Sequence, residues 1–425
     1  MNFSSMSAAQ LSELKADLQE RYQQYKAQGL KLNMARGKPG ADQLDLSMTM
    51  LDALNSTSEI NSSSGEDCRN YGMPYGLPEL QKLFAELMGV DATRIIVGGN
   101  SSLNMMFDVV SCGMTHGFLD CEPWGRQKNI KFLCPSPGYD RHFAITEYFG
   151  FELIAVPMLS SGPDMDLVEK LIAQDAEIKG IWCVPKYSNP TGITYSYETV
   201  RRFAALKPAA KDFKIFWDNA YCVHDLTDTP DKLLNLWSEC EKTGNLDLPV
   251  MFASTSKMTF PGAGVAAVAA GEGTLSVLKR HYSFQTIGPD KLNQLRHLYY
   301  FKDVNGIKEQ MRKHRALIQP KFEAVISKLE SELSGKGVAE WTHPNGGYFI
   351  SVNVMDGCAK RVISLCKEAG VVLTEAGATY PYGKDPKDKN IRVAPTYPPV
   401  SELNQAMDLF CLCVQLAAVE KLLNR

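Results

Sequence analysis

The distribution of apolar and polar positions divides the chain into three stretches. Ser7-Ala8-Ala9-Gln10 has the spacing of a helix-capping box, and Leu11, Leu14, Leu18, Tyr22 and Tyr25 then recur at helical spacing up to Gly29. This predicts an amphipathic opening helix. The middle of the chain alternates short apolar runs with helical stretches. The runs are Arg94–Val97, Ile130–Cys134, Phe151–Pro157, Gly180–Val184, Lys214–Trp217, Val250–Ala253 and Val265–Ala270, and helices are expected between several of them, as at Met165–Ala173 and Tyr197–Leu206. Most of the runs are too short for helices and end in Gly, Pro, Asn or Ser, so the stretch reads as an α/β domain with a mainly parallel sheet. Ligands of such sheets bind beyond the carboxyl ends of the strands, and chemistry is to be sought just after each run. The last hundred residues differ. Gly347–Val354 reads as a strand, Arg361–Ala369 as a helix and Leu403–Val419 as a long closing helix, giving a second, α+β domain. The expected division is a large domain over 53–317 and a smaller one made of 1–52, an N-terminal arm, together with 318–425.

Composition narrows the classes. The 425 residues carry a formal net charge of −3 and are 44% hydrophobic, ordinary for a globular protein that works in water. That balance argues against a dedicated nucleic-acid binder. There is no apolar run long enough to span a membrane, and the N-terminus lacks the pattern of a secretory signal. Eleven cysteines are scattered without a CxxC pair, and there is no HExxH, so no metal site is expected and the thiols are expected reduced, in the cytoplasm.

Three segments that follow apolar runs carry reactive residue types: WCVPKYSNPTG over Trp182–Gly192, FWDNAY over Phe216–Tyr221, and FASTSK over Phe252–Lys257. Taken singly each is bland. Asn189-Pro190-Thr191-Gly192 is apt for a turn, Asp218 for a helix cap, and Lys257 for a surface lysine after a strand. Together, with 29 positions from Asn189 to Asp218 and 39 from Asp218 to Lys257, they resemble the fold-type-I pyridoxal-phosphate enzymes, the aspartate aminotransferase superfamily. ARGKPGADQLDLS, PSPGYDRHF, TIGPDKLNQLRH and NIRVAPTYP look like the subgroup Ic aspartate aminotransferases, and the likeness runs from about Lys31 to the C-terminus.

That resemblance implies a set of roles. Lys257 forms a Schiff base with pyridoxal 5'-phosphate and later moves a proton, which needs a neutral amine. Asp218 pairs with the pyridine nitrogen and keeps it protonated. Asn189 and Tyr221 hydrogen-bond the cofactor's phenolate oxygen, Tyr139 stacks on its ring, and His142 bridges to Asp218. Gly99, Asn100 and Ser101, at a Gly-rich strand-to-helix turn, cradle the phosphate together with Ser254. Arg392 grips the substrate α-carboxylate, with Gly37 and Asn189 beside it. Tyr71 reaches the phosphate of a neighbouring subunit, which implies a homodimer with shared active sites. For a distal carboxylate the candidates are Arg36, Lys38, Arg141 and Lys291, with Arg36 first because it adjoins Gly37. The chain departs from the wider family at Val265, where many relatives place a phosphate-clamping arginine, so another cation replaces it or the cradle is neutral. Gly262-Ala263-Gly264-Val265-Ala266-Ala267 loosely matches a dinucleotide fingerprint, but no acid follows about 20 positions later. The expected activity is transfer of an amino group from an L-amino acid, aspartate, to a 2-oxo acid, 2-oxoglutarate. A β-lyase on the same cofactor and a non-catalytic regulatory module are the alternatives.

Overall fold

The structure, a computed structural model, describes residues 2–35 and 37–424. Its centre is an eight-stranded sheet in the order Ile95–Val97, Ala266–Ala270, Pro249–Ser254, Lys214–Asp218, Ile178–Cys183, Lys131–Ser136, Glu152–Leu159 and Gly162–Pro163. The pairings from Pro249–Ser254 through to Glu152–Leu159 are parallel, and those at both ends are antiparallel. The central strands are buried along their whole length, as their unbroken apolar runs require. Side chains of alternate parity fill two cores, one on each face: Ile215, Trp217 and Met251 on one side, Phe216, Val250 and Phe252 on the other. The intervening helices start on side-chain caps, with Asp164 accepting from Leu167 N and Ser196 from Thr199 N.

The sheet explains how the three distant segments meet. Ile178–Cys183, Lys214–Asp218 and Pro249–Ser254 are consecutive parallel neighbours. Their carboxyl ends therefore lie side by side, and the loops bearing Asn189, Asp218 and Lys257 leave the same edge.

A third core joins the two ends of the chain. The opening helix, Ala8–Ala27, begins on the capping box formed by Ser7 and Gln10. Leu11, Leu18 and Tyr22 are buried from it, Leu14 and Tyr25 are packed at its margin, and the Tyr22 hydroxyl donates to the Leu365 carbonyl at 2.9 Å. The helix lies against the closing helix, Val400–Leu423. From Leu409 to Val419 that closing helix is buried on every side, because it is also covered by Val304–Leu333 and Ala359–Glu368. A three-stranded antiparallel sheet, Ala339–Trp341, Ile350–Val354 and Asn390–Val393, completes this region.

Two elements differ from the sequence reading. The strand expected from Gly347 starts at Ile350. Gly347 adopts φ 86°, and a side chain on Gly346 would meet the Tyr187 ring at 2.2 Å, so this glycine pair makes a tight crossing in place of a strand start. The second element is the 30-residue helix Val304–Leu333, which begins on an Asp303 cap and carries Pro320 inside it. Its first half, through Val304, Ile307 and Met311, packs into a core of the large sheet. Its second half, from Ile318 to Leu333, packs into the core that joins the termini.

Leu18 is wholly buried between the opening helix and its neighbours. Leu18→Ala is expected to lower stability by about 2–5 kcal/mol, read as a shift in the urea unfolding midpoint. Leu14→Ala, at the margin, is expected to cost clearly less.

Candidate active site

Lys257 lies in the turn that follows strand Pro249–Ser254. Its amine stands 4.9 Å from the centre of the Tyr221 ring and 5.8 Å from that of Tyr348. Burial lowers its pKa below the ordinary lysine value, and the nearby Asp218 carboxylate works against that shift. Asp218 ends strand Lys214–Asp218 and is itself buried. Its Oδ2 shares a hydrogen bond with His142 Nε2 at 3.1 Å, whereas its Oδ1 is buried without a partner. The His142 ring is fixed by stacking on Trp182, at 4.5 Å between centres and 15° between planes. Tyr139 meets that imidazole edge-on at 4.8 Å. Burial raises the Tyr139 phenol to about 12 and the Tyr221 phenol well above its usual range, so both remain hydrogen-bond donors at neutral pH.

Of these residues Lys257, Tyr221 and Tyr139 border a cavity of about 590 Å³, which is also lined by Asn189 and Arg392. Arg392, on strand Asn390–Val393, is only 7% exposed. Its Nη1 donates to Asp140 Oδ1 at 2.8 Å and to Asn189 Oδ1 at 3.2 Å, and its guanidinium lies over the Phe349 ring at 5.0 Å. Gly37 also borders the cavity, and the close approach it permits is to that same ring. A Cβ on Gly37 would stand 2.3 Å from the Phe349 ring edge. Of the cations proposed for a distal carboxylate, Lys38 and Arg141 line the cavity. The Lys291 amine is turned away to the Gly72 carbonyl at 3.0 Å. Arg36 lies outside the described residues.

Gly99 and Asn100 are exposed at the turn into helix Ser102–Thr115, and Ser101 caps that helix through Leu103 N. The Asn100 carbonyl accepts from Ser256 Oγ at 3.2 Å, and Ser254 Oγ donates to Ser256 Oγ at 3.2 Å. This joins the Gly-rich turn to the segment before Lys257. Val265 is buried, its backbone N–H bonded to Thr255 Oγ1 at 2.9 Å, and the turn's own residues are uncharged. Tyr71 does not line this chain's cavity and is 78% exposed.

The structure adds residues that pattern reading did not single out. Tyr348 closes one side of the Lys257 amine, and its hydroxyl accepts from Gln43 Nε2 at 2.9 Å. Gln43 Nε2 also meets His314 Nδ1 at 3.2 Å, and His314 Nε2 meets the Met258 carbonyl at 3.0 Å. A buried polar chain thus leads back to the residue after Lys257. His224, edge-on to Tyr221 and Tyr348, is buried with both ring nitrogens unpartnered, and burial with the neighbouring Lys257 charge holds it neutral. The one sequence cue for Tyr348 and Phe349 was the aromatic pair directly after Gly346-Gly347.

A buried amine beside a half-paired acid, at the carboxyl ends of a mostly parallel sheet, defines this molecule as an enzyme of fold type I. Residues 6–425 match the family model described as aspartate amino-transferase, and the chain belongs to that family and is an aminotransferase. An aspartate aminotransferase of Corynebacterium glutamicum is 45% identical over 409 residues, covering 96% of this chain and 94% of that one. The crystal structure of an aspartate transaminase from the same organism superposes with a TM-score of 0.96 at 43% identity, covering 99% of both chains. The α-aminoadipate aminotransferase of Thermus thermophilus, solved with N-(5'-phosphopyridoxyl)-L-leucine, shares the fold at 18% identity, with a TM-score of 0.74 over 95% of each chain.

The electrostatics predict how Lys257 titrates. In the cofactor-free chain, acylation of Lys257 is expected to reach its midpoint at lower pH than acylation of exposed lysines. Asp218→Asn should move the midpoint lower still, because the carboxylate favours the ammonium form. Mass spectrometry after pulse acylation across pH reads both, and an upward move in Asp218→Asn contradicts the assignment.

Proposed function

We propose that the chain holds pyridoxal 5'-phosphate through Lys257 and transfers the amino group of L-aspartate to 2-oxoglutarate. The observation that carries the cofactor is Asp218. One carboxylate oxygen is anchored by His142, while the other is buried and lacks a partner. A buried carboxylate oxygen without a partner is costly, and a protonated ring nitrogen is the partner that fits it. Tyr139 would cover a ring face, the Asn189 amide and the Tyr221 phenol would donate to the ring oxygen, and Gly99, Asn100, Ser101 and Ser254 would supply N–H and O–H groups to the phosphate. The cradle is neutral on this chain, in keeping with Val265 in place of an arginine.

Pyridoxal phosphate supplies an aldehyde that takes up the amino group and a protonated ring that withdraws the electron pair of the Cα–H bond. The protein does the rest. Arg392 binds the α-carboxylate and so fixes which face of Cα is presented to Lys257. Lys257 would take the Cα proton on its neutral amine, and burial lowers its pKa and so favours that form. Asp218 would hold the proton on the ring nitrogen, and His142 keeps the carboxylate in place. The same residues serve the second half-reaction in reverse, which gives ping-pong kinetics.

The aspartate reading draws on the family and on charge. Lys38 and Arg141 line the same cavity as Arg392, so cations are at hand for a second carboxylate. Arg36, beside Gly37, belongs to the same reading. The same reading divides the chain into a large domain, 53–317, and a smaller one from 1–52 and 318–425. It also makes the enzyme a homodimer: Tyr71, Phe284 and Ile287 are exposed by 78%, 84% and 63%, and Gly72 N bonds the Ile287 carbonyl. Tyr71 would then complete the phosphate site of a second copy. The same reading places the enzyme in the cytoplasm, where thiols stay reduced.

Amino-donor profiling with 2-oxoglutarate tests the activity. Aspartate is expected to be the preferred donor, and Lys257→Ala to lose at least about 10³-fold in kcat. Turnover with aromatic or branched donors but not aspartate would sink the substrate assignment. Arg36→Ala, Lys38→Ala and Arg141→Ala, compared with wild type on aspartate and alanine, identify the distal cation by which one loses the preference. Light scattering is expected to give twice the chain mass. Tyr71→Phe should weaken cofactor retention on dialysis; unchanged retention would remove Tyr71 from the phosphate site.

A further inference from the structure

Arg392 is not idle in the absence of substrate. A guanidinium has five N–H groups, and here their partners divide unevenly. Both hydrogens of Nη1 are used, by Asp140 Oδ1 at 2.8 Å and Asn189 Oδ1 at 3.2 Å. Nη2 has one long contact, to Thr374 Oγ1 at 3.5 Å, and Nε is buried without a partner. The Phe349 ring, 5.0 Å away, fixes the plane of the group. The open side is therefore the Nε–Nη2 edge, which can take a carboxylate through two parallel hydrogen bonds.

We propose that Asp140 is a positioning residue for Arg392, holding the guanidinium by Nη1 so that its Nε–Nη2 edge faces the substrate carboxylate. The proposal rests on the reading of Arg392 as the α-carboxylate site. Asp140 opens helix Asp140–Tyr148, where an acid is favoured by the helix dipole alone. Its carboxylate nevertheless turns across the cavity mouth to a guanidinium 252 positions away in sequence. It is the one acid paired with Arg392 among the described residues. Arg392 is 7% exposed at its side chain and Asp140 is 34% exposed, so the arginine needs a fixed counter-charge more than the aspartate does. Because Asp140 and the substrate use different edges, the substrate adds to the pair without displacing it. If Asp140 instead occupied the substrate's place, its removal would strengthen carboxylate binding. The two arrangements predict opposite signs.

The test compares Asp140→Ala, Asp140→Asn and Arg392→Ala in the holoenzyme, by steady-state kinetics with both substrates and by calorimetric Kd for maleate, a non-reacting dicarboxylate. Asp140→Ala is expected to raise both KM values and the maleate Kd about tenfold, with kcat changed by less than about threefold. Asp140→Asn keeps an oxygen for Nη1 and is expected to stay within about threefold of wild type. A fall or no change in KM and Kd for Asp140→Ala overturns the proposal, as does an Asn variant no better than Ala. Arg392→Ala separates the two readings. If it leaves KM and Kd unchanged, Arg392 is not the carboxylate site. If it raises them while Asp140→Ala does not, the Asp140 proposal alone fails.

Discussion

The site depends on keeping an amine and a carboxylate of opposite needs in one buried place. On the proposed function Lys257 has to give up its proton, and burial lowers its pKa to that end. Asp218 has to keep one oxygen for a partner in the same buried place, where an unpaired oxygen is costly. The structure resolves the conflict by distribution. The lysine amine is given aromatic faces, Tyr221 and Tyr348, which enclose it without offering an anion. The aspartate is given one imidazole partner, and that partner is locked in place by Trp182. Neither arrangement is local in sequence. Both depend on consecutive parallel strands delivering their carboxyl ends to one edge.

That dependence explains which parts of the molecule could be read in advance. The strands were legible because buried parallel strands are short, apolar and terminated by turn residues. Lys257, Asp218 and Asn189 were legible because each follows such a strand, at spacings set by the helices between them. Legibility fails where a residue's role comes from a partner far away. Nothing near Asp140 in sequence distinguishes it from an ordinary first-turn acid; its meaning comes from Arg392. Phe349 looks like a strand aromatic until the guanidinium above it and the glycine beside it are seen together. The helix Val304–Leu333 was missed for a different reason: its buried positions keep one face from Val304 to Leu333, but Gln310, His314 and Lys321 lie on that face and Pro320 sits inside it, so the apolar pattern is broken.

Gly37 shows how sequence and structure give different reasons for one residue. The motif places a glycine next to the substrate, which suggests close backbone approach to a ligand. The structure shows the Phe349 ring already occupying the space a side chain would need. The ring in turn supports Arg392. A methyl group at position 37 would therefore act at one remove: it would press on the ring, and the ring would tilt the guanidinium. The backbone around this glycine is held as well, with Thr374 Oγ1 donating to the Ala35 carbonyl at 2.7 Å and Thr396 Oγ1 to the Lys38 carbonyl at 3.0 Å.

The arrangement of charge around the cavity follows the same logic as the amine and the acid. Asp140 lines it, Asp218 is buried near Lys257, and each acid is tied to a partner that fixes its direction, Arg392 in one case and His142 in the other. Of the cations at its border, Arg392 is nearly buried and constrained at Nη1, whereas Lys38 and Arg141 are exposed. A constrained buried guanidinium discriminates by geometry; exposed cations attract by charge and tolerate variation in length. The two substrates of a transamination share an α-carboxylate in nearly the same position and differ in side-chain length. On the proposed function, a constrained cation for the shared carboxylate and exposed ones elsewhere on the border is the division of labour such a pair of substrates requires.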